Sequence, residues 1–208
     1  VPNLHDDLTL VGGRLAIDFA NFPSHPASPQ VNALSWEGLI RFLEATRIVS
    51  ADRAEQLLDL TNSDPHSAYE LLNRAERLRD SLRFIFAALA GKEQISGEWI
   101  IPINEVLRVT EGHDELVGSG RVWRMEYVAK DGSLDWLLAA IARSAADLIT
   151  EGESAQIRLC ANPGCSLFFC DNSRTHRRRW CSMALCGNRH KVAAFARRHS
   201  TKKRAAGA

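Results

Sequence analysis

From Cys160 to Cys186 the chain reads CANPGCSLFFCDNSRTHRRRWCSMALC. Two cysteine pairs, Cys160/Cys165 and Cys181/Cys186, each enclose four residues, and fifteen residues separate Cys165 from Cys181. Two short loops of this kind can each aim two thiolates at one point, which suits a tetrahedral structural zinc. Asn162-Pro163-Gly164 inside the first pair are turn residues, so that loop is already bent as a ligand-bearing knuckle. Two disulfides, or scattered buried thiols, are the competing readings, and the spacing favours zinc. On a continuous α-helix Cys181 and Cys186 would lie about 140° apart around the axis and could not converge on one ion. The spacing therefore predicts an irregular entry to the second pair, with regular helix from near Gly187. Cys170 sits in the apolar run Leu167–Asp171, which reads as a short strand, and is expected to be a buried spectator rather than a ligand.

The formal charge of +1 conceals a division. Residues 151–208 hold 12 Lys/Arg against 3 Asp/Glu, whereas residues 1–150 hold 14 against 22. Such segregation concerns partners: the C-terminal segment can attract phosphates and the N-terminal body cannot. Arg174, Arg177, Arg178 and Arg179 crowd the loop between the cysteine pairs. Projected at 100° per residue, the helix after Gly187 places Asn188, Val192, Phe195, Ala196 and His199 on one side, as a face for the finger core. His190, Lys191, Arg197 and Arg198 fall on the other, and Lys202, Lys203 and Arg204 extend the charge. Arg178, Arg179, Lys191, Arg197 and Arg198 are the expected phosphate contacts. Arg189 projects nearer the apolar side and is expected to brace the knuckle by bonding backbone carbonyls; a one-residue shift of the helix start would exchange that role with base reading.

Upstream, residues 8–22 read as a short strand, a Gly12-Gly13 turn and a second apolar stretch from Leu15 to Phe22. Asp18 and Asn21 are its notable polar residues. With Arg143 they form a candidate ligand pocket, although side-chain hydrogen bonding that fixes a loop is the favoured reading, and Arg143 can pair with Asp147 one helical turn on. Ser35 and Ser50 are candidate caps for two helices, and Asp64-Pro65 opens the longest, running to about Leu89 and ended by Gly91. A weaker helix over 97–110 contains Pro102. Trp123, Met125 and Tyr127 alternate with charged residues as a half-buried strand, with Gly118-Ser119-Gly120 as the turn before it. The last body helix begins at Ser133. The patterns give an α+β chain: a mostly helical body with a small β-sheet over 1–152, then a small zinc-stapled β-hairpin/helix finger over 153–208.

Arg179-Trp180-Cys181-Ser182-Met183, followed by Cys186-Gly187-Asn188-Arg189, resembles the signature of the CGNR zinc-finger family of bacterial transcription regulators. Gly12 to Asn21 and Ala142 to Leu148 resemble the ABATE domain that usually precedes this finger, a domain of stress-induced regulators. The resemblance implies a zinc-dependent DNA-binding regulator whose N-terminal domain senses a small-molecule signal or mediates assembly, for instance as a homodimer. A zinc-stapled module for RNA or an acidic protein is the alternative. Enzyme readings lack parts: there is no G-x-S-x-G elbow, Walker loop or H-E-x-x-H, and four thiolates leave zinc no open position. No apolar run reaches the length of a membrane span. No basic region precedes an apolar core near Val1, so no secretory signal is expected; with an odd cysteine count this predicts a reducing cytoplasm.

Overall fold

Gly12-Gly13 brings the chain into its first helix at close quarters. A Cβ on Gly12 would lie 2.6 Å from the Ile17 side chain and 2.9 Å from the Asp18 nitrogen, and Gly13 has φ +77°, so the turn wraps tightly onto α1 (Leu15–Asn21). The structure is a computed structural model that describes residues 8, 10–25, 28–31, 33–109, 112–119, 122–129, 134–192 and 195. The stretch expected only to be apolar is thus a helix, and no strand precedes the turn among the described residues. Ala16, Ile17, Phe19, Ala20 and Asn21 are all buried, because α1 is inserted between other elements instead of lying on the surface.

A short hairpin, β1 (Ser24–His25) with β2 (Ser28–Val31), leads to α2 (Trp36–Ala45) and α3 (Ala51–Leu58). Both helices start where a serine hydroxyl accepts an orphan N–H: Ser35 from Gly38 and Ser50 from Arg53. A single further turn, α4 (Leu60–Ser63), precedes α5 (Pro65–Gly91), which opens with Asp64 accepting from the Ser67 N–H and proline in the first turn. At 27 residues α5 is about 40 Å long. Its buried stripe, Leu71, Ala75, Leu78, Leu82, Ile85 and Phe86, is the wall against which α1, α6 and α7 pack. Glycine does not supply the left-handed residue that follows the helix. Gly91 is its last residue and Lys92 takes the left-handed conformation at φ +60°, while Lys92 N–H bonds Leu89 O and Glu93 N–H bonds Ala88 O. Those two bonds satisfy the terminal carbonyls whatever residue supplies the turn.

α6 (Gly97–Val109) follows with Pro102 inside it. Next comes a regular hairpin, β3 (Gly112–Ser119) with β4 (Val122–Ala129), in register from Gly112↔Ala129 to Ser119↔Val122. The expected strand is β4. Its partner β3 absorbs Gly118 and Ser119, which the sequence suggests are turn, and leaves two residues to connect the strands. The side chains of Trp123, Met125 and Tyr127 lie outside what is described, as does Ser133. α7 (Trp136–Glu151) buries Leu137, Leu138, Ile141, Ala145 and Leu148 as its periodicity predicts, with Leu134 half-buried just before it. Arg74 and Asp135 pair across α5 and the start of α7.

The C-terminal hairpin, β5 (Ile157–Leu159) with β6 (Phe168–Cys170), belongs to two cores at once. Ile157, Phe168 and Cys170 join the large core of the body, while Leu167 and Phe169 join a second cluster with the four paired cysteines. Alternation along a strand does this: neighbouring side chains leave opposite faces, so β6 serves the helices on one face and the finger on the other. The body and finger meet through a shared strand, and 152/153 divides the sequence but not the packing.

Asp18 secures the entry turn by accepting from the Gly12 N–H at 2.7 Å. Burial pushes its carboxyl up to about 6, against the lowering effect of the Gly12 and Val11 N–H groups. A raised folded-state value means that the stability it contributes is full below about 4 and is lost as pH rises through about 6. Asp18→Asn keeps the acceptor and removes the charge. It is therefore expected to flatten the fall in stability between pH 4 and 6, as read from denaturant unfolding across that range; an unaltered slope would show that Asp18 titrates normally.

Candidate metal centre

Each knuckle is shaped by hydrogen bonds within its own loop. In the first, the Cys165 N–H bonds Asn162 O at 2.8 Å and the Gly164 N–H bonds the Asn162 side chain at 3.3 Å, closing the Asn-Pro-Gly turn. In the second, Ser182 Oγ accepts from Ala184 and Leu185, and Ser182 O accepts from both Cys186 and Gly187 at 3.0 and 3.1 Å. Residues Met183–Gly187 form a π-turn and α-helix begins at 188. The wider turn supplies the irregular entry that the five-residue separation requires, and it brings Cys181 Sγ within 3.6 Å of Cys186 Sγ. Gly187 fits closely: a Cβ there would meet the Met183 thioether at 2.6 Å and Trp180 Cδ1 at 3.3 Å.

The sulfur atoms of Cys160, Cys165, Cys181 and Cys186 all lie within 4.8 Å of one another, and all four residues are buried. Tetrahedral Zn–S bonds of about 2.3 Å place sulfurs about 3.8 Å apart. The Cys165–Cys181 and Cys181–Cys186 separations are 3.8 and 3.6 Å, far beyond the ~2.05 Å of a disulfide. The donor set fits zinc, and it is closed. Cys170 is excluded from it: it is buried in the body core, with its N–H on Gly12 O at 2.8 Å.

Electrostatics explain why such a cluster wants a cation. The S–H groups of Cys165 and Cys181 pull the Cys160 thiol down to about 2. The same bond to Cys160 pushes Cys165 up to about 12, and Cys181 is pushed higher still by Cys160 and Cys165. One thiolate is welcome and further ones repel it. A divalent ion removes that repulsion, so metal uptake must displace protons. Several N–H groups already face the sulfurs. Asn162 Nδ2 donates to Cys186 Sγ at 3.3 Å and the Cys181 N–H to Cys160 Sγ at 3.4 Å. The backbone N–H groups of Asn162 and Leu167 serve Cys160 and Cys165.

The basic loop is organised by Asp171, whose role the sequence reading missed. This fully buried carboxylate accepts from Ser173 N–H at 3.1 Å, Ser173 Oγ at 2.5 Å and Arg178 N–H at 2.9 Å, and lies 3.1 Å from Arg158 Nε. Burial pushes its pKa up, but these hydrogen bonds and the Arg158 charge outweigh that and hold it below the usual range. Its backbone carbonyl meets His176 Nδ1 at 2.9 Å, and Arg158 Nη2 bonds His176 O at 2.6 Å. The acid two residues before Ser173 at a strand end was the available signal.

The arginines divide sharply. Arg178 turns inward: its Nε donates to Trp180 O at 2.8 Å, its Nη2 to Cys181 O, and its guanidinium lies 4.5 Å over Phe169. Expected to contact phosphate, it instead holds the second knuckle by its carbonyls, the task expected of Arg189. Arg174, Arg177, Arg179 and Lys191 are exposed. Arg189 and Asn188 are also exposed, as are Val192 at 68 % and Phe195 at 57 %. Of the expected core-facing side, the described residues Asn188, Val192 and Phe195 are therefore exposed, because Leu167, Phe169, Trp180 and Leu185 already fill the finger core. Ala196, Arg197, Arg198, His199, Lys202, Lys203 and Arg204 lie outside the described residues.

The three candidate pocket residues are placed differently. Asn21 is fully buried and clasps β6: its Nδ2 donates to Phe168 O and its Oδ1 accepts from Phe168 N–H, both at 2.8 Å. Asp18 holds the entry turn. Arg143 is exposed on α7, and no ion pair joins it to Asp147 among the described residues. Arg83, which the sequence did not single out, reinforces the clasp by donating to Ala20 O at 3.0 Å and Ser166 O at 3.4 Å.

Residues 13–152 match the ABATE family, described as "Putative stress-induced transcription regulator", and residues 156–199 match the CGNR zinc finger. A search of curated proteins finds no match. No described helix is long and apolar enough to cross a membrane. The first match covers well over half of the sequence, and the chain belongs to the ABATE family.

Proposed function

We propose that this member of the ABATE family is a zinc-dependent DNA-binding transcription regulator, with Cys160, Cys165, Cys181 and Cys186 holding one structural zinc. The observation that supports this most directly is the division of labour around the cysteine cluster. A closed four-sulfur centre has no position for substrate, yet it fixes a loop on which Arg174, Arg177 and Arg179 all point to solvent. From residue 156 onward the chain carries 12 Lys/Arg and a single acid, Asp171, which is consumed internally. Exposed arginines on a metal-fixed surface suit a polyanion, and the net negative charge of the body favours contact through the finger alone. The body reads as the sensing or assembly part: Asn21 and Arg83 join α1 and α5 to β6, so a change in helix packing would be felt at the finger.

The test is selection of bound duplexes from a random DNA pool at physiological salt, followed by affinity measured against salt concentration. The expected result is an enriched motif and a log–log slope of about −0.9 per phosphate neutralised. Salt-dependent binding without any motif would move the reading to RNA or an acidic protein, and binding to no polyanion would remove it.

A further inference from the structure

Arg174, Arg177 and Arg179 are alike in exposure and unlike in restraint. Arg174 and Arg177 make no ion pair, side-chain hydrogen bond or ring contact among the described residues. Arg179 is held at both ends. Its carbonyl accepts from the Ala161 N–H at 2.8 Å, which ties it to the first knuckle, and its guanidinium lies 5.2 Å over the Trp180 ring. Trp180 is itself packed on several sides: its carbonyl receives Arg178 Nε, its Cδ1 edge lies where a Cβ on Gly187 would meet it, and its ring stands 4.7 Å from that of His190. Outside any helix or strand, residues 177–179 send Arg178 inward to the knuckle carbonyls while its two neighbours are exposed.

Restraint matters because the two kinds of DNA contact ask for different things. A phosphate accepts a cation from many directions, so a loose arginine or a lysine serves. The O6 and N7 of guanine are met by a planar fork in one orientation, and a guanidinium already held over an indole loses less freedom in adopting it. We propose that Arg179 reads a guanine edge in the major groove, with Trp180 and His190 as its positioning residues, and that Arg174, Arg177 and Lys191 contact phosphates. This assignment rests on the DNA-binding reading above and changes the role expected of Arg179 from the sequence.

The experiment uses the full zinc-loaded chain, the duplex recovered by selection and a scrambled duplex of equal length. Arg179→Lys keeps the charge and removes the fork. Affinity for the selected duplex should fall about 10- to 100-fold, confined to one G·C pair whose replacement then no longer matters, with scrambled binding and salt slope unchanged. Arg177→Lys should alter neither duplex. His190→Ala, which touches no cysteine ligand, should weaken the same base pair and no other. The assignment is overturned if Arg179→Lys preserves every positional preference. It is overturned equally if Arg179→Ala weakens both duplexes alike and lowers the slope by about one contact, the mark of a phosphate ligand. If the unaltered chain shows no salt-dependent affinity for any duplex, the failure lies in the DNA reading and the assignment goes with it.

Discussion

Cys181→Ser is expected to lose its zinc and free both knuckles, while β6 stays on the body. The magnitude is large because a structural zinc contributes roughly 10–16 kcal/mol in small finger peptides, as much as the whole stability of an ordinary domain. The four sulfurs cannot replace it with their own hydrogen bonds, since ionising Cys160 holds the protons on Cys165 and Cys181. The damage should nevertheless stop at a definite line. Phe168 and Cys170 belong to the body core, and Asn21 and Arg83 bond the backbone of Phe168, Ser166 and Ala20 without help from the metal. Amide exchange in Cys181→Ser should rise strongly over 160–165 and 177–192 and remain slow over 168–170. Cys170→Ser should retain one zinc per chain. Full zinc occupancy in Cys181→Ser, or its loss in Cys170→Ser, would break the ligand assignment. Equal loss of protection in β6 and the knuckles would show the finger melting as a unit.

The second large effect belongs to a residue with no part in metal binding. Asn21→Ala removes, in a site sealed from water, the partners of both the N–H and the C=O of Phe168. Each orphaned group costs about 1–3 kcal/mol, so the pair should cost about 2–6 kcal/mol, at or beyond the upper end of what single substitutions do. Asn21→Asp offers an acceptor for the N–H but no donor for the carbonyl, and brings a charge into the interior, so it should not rescue the fold. Denaturant unfolding measures the loss, and zinc content reports whether the centre survives undocking. A change within about 0.5 kcal/mol would show that β6 is held by its apolar contacts alone.

Local chemistry was legible from the residues. Ser35, Ser50 and Asp64-Pro65 mark helix starts because a cap acts on the N–H groups next to it. The cysteine spacing picked out the four cysteines that the structure brings together and left out Cys170, because two knuckles that could converge on one ion are constrained by loop length. The same spacing required the irregular turn that the structure forms at Met183–Gly187. Charge counting located the basic surface. Where the reading strayed, the missing information was equally identifiable: α5 does stop at Gly91, but Lys92 takes the left-handed turn because two backbone bonds there suffice, and Gly118 and Ser119 are strand because β4 offers them a partner.

The sequence alone therefore determined the helical body, the four cysteines that cluster, the irregular second knuckle and the concentration of positive charge beyond residue 156. Only the tertiary structure decided which arginine turns inward and that β6 packs on the body. Residue order alone does not show whether Arg178, in the loop, or Arg189, on the helix, braces the second knuckle. The choice between them depends on β6 supplying Phe169 beneath Arg178 and filling the finger core, so that the helix after Gly187 is left outside. Likewise nothing near Asn21 in sequence shows that its amide is spent on Phe168, 147 residues away. Periodicity and spacing record what a residue does with its neighbours along the chain, whereas a buried polar group is satisfied by whatever backbone the fold brings to it.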